Sequence, residues 1–326
     1  MEGMEQTKDV ASAPKPTGFI NRLWRNEWLR AFVLALLVLV LVHAFVARWV
    51  IVESTSMFAT LKPGDLVLVQ RWPLWTGLSR GDIVVFRDPL KDDVSMARRP
   101  LLVKRIVGMP GDRVELKRAE LLVNGRPQRS TVHATLAYLV RLRNESFADS
   151  LLIHLGLPTR MRQPGRSFLE LPLNEELADQ VVRLPYVISA DKLGLASGAK
   201  RHLFPFSPRY PWNGDDFGPI QVPRKGDTLH INVDNLPLYD RLISHYEGHR
   251  LGVDRNKLTI DGSPLTDYVV QQDYYFVLGD SRHHSADSRY WGFVPADHLT
   301  GRASLLLWGN GIGGSRSGRD WSSLQR

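Results

Sequence analysis

Three hydroxyl side chains, Ser54, Thr55 and Ser56, lie in V-I-V-E-S-T-S-M-F-A-T-L-K-P-G-D from Val50 to Asp65, after an apolar run and before a Pro63-Gly64 turn. A serine attacks a carbonyl only when a neighbouring group takes its proton. Neither G-x-S-x-G nor a histidine–carboxylate arrangement that would complete a triad is visible. Lys104 offers a different base, set in the run Leu101-Leu102-Val103-Lys104-Arg105-Ile106-Val107. A lysine serves as a base only when neutral. Its ordinary pKa is about 10.4, a base working near neutrality needs roughly 7 to 8, and burial among apolar neighbours moves it in that direction. Ser56 and Lys104 are therefore expected to form a catalytic pair; the competing reading is a strand lysine facing water. The Ser56 backbone N–H and the Ser54 hydroxyl would stabilise an oxyanion, and the two serines share a side only if the segment is extended.

A second dense stretch runs from Gly279 to Gly292, G-D-S-R-H-H-S-A-D-S-R-Y-W-G. Its Asp and Arg residues could brace the site as ion pairs, and the Ser285 hydroxyl could orient the lysine amine. A surface loop of exposed ion pairs, worth little energetically, is the alternative.

What must position these groups is a chain of 326 residues carrying a net charge of +8 and no cysteine. Disulfides, thiolate metal sites and cysteine nucleophiles are thereby excluded. The positive balance sits partly beside the apolar run and favours lipid head groups; no zinc-finger spacing or aromatic–basic alternation supports nucleic acid. Residues 1–28 read as a polar cytoplasmic tail, including Arg22 and Arg25 ahead of the apolar run. Residues 29–52, interrupted by His43, read as one transmembrane anchor with its N-terminus in the cytoplasm and all that follows outside. A cleavable signal peptide is the competing reading, but its apolar region is usually shorter.

Short β segments follow: Leu66–Val69, Asp82–Phe86, Leu101–Val107 and Arg113–Leu116. Asn124-Gly125 and Asp261-Gly262 mark two-residue hairpins. Between them lies a stretch of mixed character, Arg-rich (Arg126, Arg129, Arg141, Arg143), with helices near 146–155 and 174–182 and a Pro/Gly/Trp-rich connection at 204–223. His245, Glu247 and His249 do not form H-E-x-x-H, and Gly309–Gly314 matches G-x-G-x-x-G without a βαβ unit around it; neither is read as a site. No metal or cofactor is expected. Trp308 and Trp321 are candidates for a membrane interface.

With these residues in view, S-T-S-M-F-A-T-L at 54–61, R-G-D-I-V-V-F at 80–86, V-K-R-I-V-G-M-P-G-D at 103–112 and G-D-S-R-H-H-S-A-D-S-R-Y-W-G-F-V-P at 279–295 resemble, in order, the motifs of bacterial type I signal peptidases, in the enlarged form seen in Bacteroidetes. The resemblance implies a membrane-anchored serine–lysine endopeptidase of the inner membrane that removes signal peptides of exported preproteins after A-x-A, through an acyl-enzyme, near the secretion translocon. It also implies a mainly β fold: an antiparallel catalytic core at 53–117 and 256–310, a large mixed insertion at 118–255, a polar tail at 311–326 and one N-terminal transmembrane helix. By the same resemblance Ser56 is the nucleophile, Lys104 the base and Ser54 the oxyanion-hole hydroxyl. Ser285 orients the lysine; Arg105, Asp280, Arg282, Asp287 and Arg289 support the site; Val52, Met57, Leu61, Leu102 and Val103 line the substrate pockets. Glu53, Thr55 and Ala59 depart from the usual Pro, Gly and Pro. A specialised maturation peptidase and an inactive membrane-tethered binding protein are the alternatives.

Overall fold

The computed structural model describes residues 27–42, 46–128, 134–196, 203–254, 257–309 and 320–324. Most of the tail assigned to 1–28, together with His43, Arg129, nearly all of the glycine motif at 309–314 and most of the 311–326 tail, lies outside the described residues. The chain divides into two compact units, residues 1–46 and 47–326.

In the first unit, helix α1 (Glu27–Leu41) carries an almost unbroken apolar sequence and buries none of its side chains. The single span expected at 29–52 is not what the described residues form. The α-helix runs to Leu41, Val42 and Val46 beyond it are π-helical, and the last residues of the run, Ala47–Ile51, are a strand rich in bulky and β-branched side chains. No described helix is long and apolar enough to cross a membrane.

The second unit is built on an antiparallel sheet. In chain order seven of its eight strands are β1 (Ala47–Ile51), β2 (Leu66–Gln70), β3 (Ile83–Arg87), β4 (Leu101–Gly108), β5 (Tyr274–Leu278), β6 (Val294–Pro295) and β7 (Leu299–Trp308), arranged β1-β2-β7-β3-β4-β5-β6, and the eighth, Ser322–Ser323, pairs with β7. The last long strand thus lies between two early ones. Both faces of the sheet are covered, which accounts for the unbroken apolar run of β3. Ile83 and Val85 join Val52, Met57, Leu61, Val67 and Val69 on one face. Their neighbours Val84 and Phe86 join Ile106, Val277 and Trp291 on the other.

Expected hairpin turns are present at Asn124-Gly125 and Asp261-Gly262, where all four residues have positive φ. Asn144 and Asn174 cap the helical segments after them by accepting from Ser146 and Leu177 N–H. The boundary expected at 117/118 does not separate two bodies. Strand Arg113–Lys117 pairs with Glu120–Val123 on one side and with Phe217–Gln221 on the other, and a single apolar cluster runs from Val107 through Tyr239 to Phe293.

A second cluster forms over the sheet Leu136–Leu142, Phe168–Leu173 and Val187–Lys192, and Phe58 is part of it. The segment after Ser56 is therefore shared: Met57 and Leu61 sit in the main core, Phe58 in that of the neighbouring sheet. Truncating a buried phenylalanine removes transfer energy and leaves a cavity, so Phe58→Ala is expected to lower stability by about 3–5 kcal/mol. A urea-unfolding loss below about 1 kcal/mol would show that the shared packing does not matter.

Candidate active site

β1 ends at Ile51 and the chain enters consecutive turns at 55–60. Phe58 N–H donates to Thr55 O, and Thr60 and Leu61 N–H to Met57 O. Ser54 and Ser56 thus do not lie on an extended strand, yet their Oγ atoms are 3.0 Å apart. Ser56 is buried and Ser54 exposed. Ser56 N–H has no acceptor among the described residues, which leaves it free for an oxyanion.

Lys104 reaches in from β4 and donates from Nζ to Ser56 Oγ at 2.7 Å and to Val103 O at 3.1 Å. Only 3% of Lys104 is exposed. Burial lowers its pKa to about 8, against the opposing pull of Asp287 and Asp280. Glu53 is exposed and is not among these main influences.

Each of the two carboxylates is clasped by an arginine. Arg105 holds Asp280 through Nε (2.8 Å) and Nη2 (2.6 Å) and gives Nη1 to Gly81 O. Arg289 holds Asp287 through Nε (2.9 Å) and Nη2 (2.8 Å), and Gly279 N–H adds a third donor. Burial pushes the Asp287 carboxyl up, but Arg289 and these donors outweigh it and hold the pKa below its ordinary value. Arg282 differs: it has no carboxylate partner among the described residues, and burial, with Arg289 beside it, lowers its pKa to about 10.

Ser285 is buried, but its hydroxyl is directed at Ala286 O and the Asp287 carboxylate, and none of its bonds goes to Lys104. Among the expected pocket residues Val52, Met57, Leu61 and Val103 meet in one cluster. Leu102 packs with the opposite cluster, because successive strand residues face opposite sides.

Several site-building residues escaped sequence reading. Thr60 hydrogen-bonds Asp280. Ser281 N–H donates to Ser56 O at 3.0 Å, which ties the supporting loop to the serine. Thr135 N–H donates to Asp280 O and Arg282 N–H to Thr135 O, while Asp215 meets His283 at 2.6 Å. Residues of the supposed insertion therefore hold the supporting loop. His245, Glu247 and His249 form no metal group among the described residues; Glu247 accepts from Tyr268 and Tyr274 instead.

A mainly antiparallel β domain around a buried serine–lysine contact fits the class of serine endopeptidases. The chain matches the family model described as signal peptidase, peptidase S26, over residues 25–150 and 218–308, and so belongs to that family as a bacterial type I signal peptidase acting on preproteins that carry signal peptides. It is 24% identical over 292 residues to signal peptidase I of Buchnera aphidicola subsp. Baizongia pistaciae, covering 84% of this chain and 73% of that protein. Signal peptidase I of Haemophilus influenzae is 22% identical over 288 residues, covering 86% and 69%. Signal peptidase I S of Bacillus subtilis is 38% identical over 101 residues, covering 31% and 50%.

Gly279 shows how tightly the site is assembled: an added Cβ would come within 2.2 Å of Ser285 Oγ and 2.6 Å of Ser56 O. Gly279→Ala should displace the serine, destabilise the fold by about 1–3 kcal/mol and abolish most turnover. Unaltered preprotein cleavage with an unaltered unfolding midpoint would contradict this packing.

Proposed function

We propose that Ser56 is the nucleophile and Lys104 the general base of the signal-peptide cleavage, acting through an acyl-enzyme. The observation that carries this reading is the 2.7 Å contact between Lys104 Nζ and Ser56 Oγ, with both side chains buried. Neutral Lys104 takes the Ser56 proton as Oγ adds to the scissile carbonyl. The Ser56 N–H and, once it turns from Ser56 Oγ, the Ser54 hydroxyl meet the oxyanion. The protonated amine then gives its proton to the departing amine, and the neutral lysine activates the water that hydrolyses the ester. Arg105, Asp280, Asp287 and Arg289 hold the loop and set the field at the amine; Ser285 acts on Lys104 through Asp287. Arg282 contributes positive charge to the same loop.

We infer that Val52, Met57, Leu61 and Val103, which pack in one cluster, select small side chains at the first and third positions before the cut, the A-x-A pattern. We also propose that the apolar segment around α1 anchors the chain in the inner membrane with its N-terminus in the cytoplasm, near the translocon. Three exposed side chains support lipid contact: Trp49, Ile51 and Trp308, the last two meeting Leu66 across neighbouring strands.

Cleavage of an A-x-A preprotein, followed by mass spectrometry, tests the pair: Ser56→Ala and Lys104→Ala should each lose at least about a thousandfold in rate. Either variant cutting like wild type would sink the assignment. Because the amine must be neutral, kcat/KM should rise about tenfold per pH unit below 8 and level off above it. A flat profile from pH 6 to 9 would rule out this base.

A further inference from the structure

One face of the main sheet ends alike on three strands. Val52 and Val50 are continued along β1 by Arg48, Val67 and Val69 along β2 by Arg71, and Ile83 and Val85 along β3 by Arg87. The two-residue period keeps Arg48 and Arg87 on the side of the valines and isoleucine beside them, while Arg71 follows one residue past the end of β2, in a bend. Register places Arg48 opposite Val69, two residues before Arg71, and both Arg87 and Arg71 act electrostatically against the charge of Arg48. Nε and Nη2 of Arg48 are shielded from solvent and have no hydrogen-bond partner among the described residues. Among the described residues no carboxylate pairs with Arg48 or Arg87; Arg87 gives Nη1 to Arg99 O. Shielded donors without acceptors, beside like charges, cost free energy that an anion would recover.

We propose that Arg48, Arg71 and Arg87 form a binding site for the phosphate of an anionic phospholipid head group. Guanidinium forks match phosphate oxygens in bidentate fashion. The source of the phosphate follows from the chain itself. Arg48 stands two residues after Val46, the last residue of the first unit, and exposed Trp49 adjoins it. If the preceding apolar segment lies in the bilayer, Arg48 is at head-group depth; to this extent the proposal rests on the membrane reading. The substrate does not bring the anion, because a signal peptide has a basic start and an apolar core.

The test uses the full chain in lipid-free detergent, with thermal unfolding followed during titration by dihexanoyl-phosphatidylglycerol, dihexanoyl-phosphatidylcholine or inorganic phosphate. The expected result is a saturable rise in Tm with the glycerol lipid, weaker effects of the other two, and a Kd about tenfold weaker in Arg48→Gln. Arg48→Lys should recover part of the loss. Should Arg48→Gln fail to fold, Arg87→Gln must show the same weakening. No rise with phosphatidylglycerol, or an equal rise in both glutamine variants, overturns the site. Inorganic phosphate binding as tightly as the lipid overturns the head-group assignment. Carbonate extraction of vesicles carrying the wild-type chain separates the two readings. A chain retained in the vesicles but unresponsive in the titration sinks only the lipid site. A chain that is extracted sinks the membrane reading, while the detergent titration still decides whether the arginines take the anion.

Discussion

A lysine amine shut away from water beside a serine is the constraint on which the rest of this domain depends. The unfolded chain holds the Lys104 proton to about pH 10.5, whereas the folded one releases it near 8. Between those values stability rises with pH, because the unfolded state binds more protons; below pH 8 the burial costs roughly 3 kcal/mol in full. That is a sizeable fraction of the ~5–15 kcal/mol a domain usually has. Two carboxylates nearby would refill the amine with its proton if they stood alone. Arg105 and Arg289 clasp them, and burial still wins over their pull on Lys104.

The serine end of the pair is held by packing. Its turn lies between two apolar clusters, and Ala59 within it takes φ 76°. Proline cannot adopt that angle, so the proline common in the related motif would not fit this backbone. The altered sequence at 59 and the altered backbone belong together.

Much of this was legible beforehand because it is local. The β4 apolar run, the Asn-Gly and Asp-Gly hairpins and the helix starting at Asn174 declare themselves through residue type and spacing, and four ordered motifs were enough to bring Ser56 and Lys104 together. What was not legible depends on distant partners. Leu102 and Val103 look alike until strand alternation sends them to opposite faces. Ser285 looked like a partner of Lys104 until Asp287 claimed its hydroxyl. Thr135 and Asp215 carry no motif at all; their role comes from backbone bonds and a histidine contact made across long sequence separations. The family match leaves 151–217 uncovered, a narrower stretch than the 118–255 insertion expected.

The position of β7 between β2 and β3 has a consequence in time. A ribosome delivers β2, Ser56, β3 and Lys104 long before Leu299–Trp308 emerges. Until then the two early hairpins, β1–β2 and β3–β4, have no strand to join them, and Gly279 and Ser281 have not yet arrived to hold the serine backbone. A chain made only as far as β4 therefore carries Ser56 and Lys104 without the strand and the loop that hold them in place.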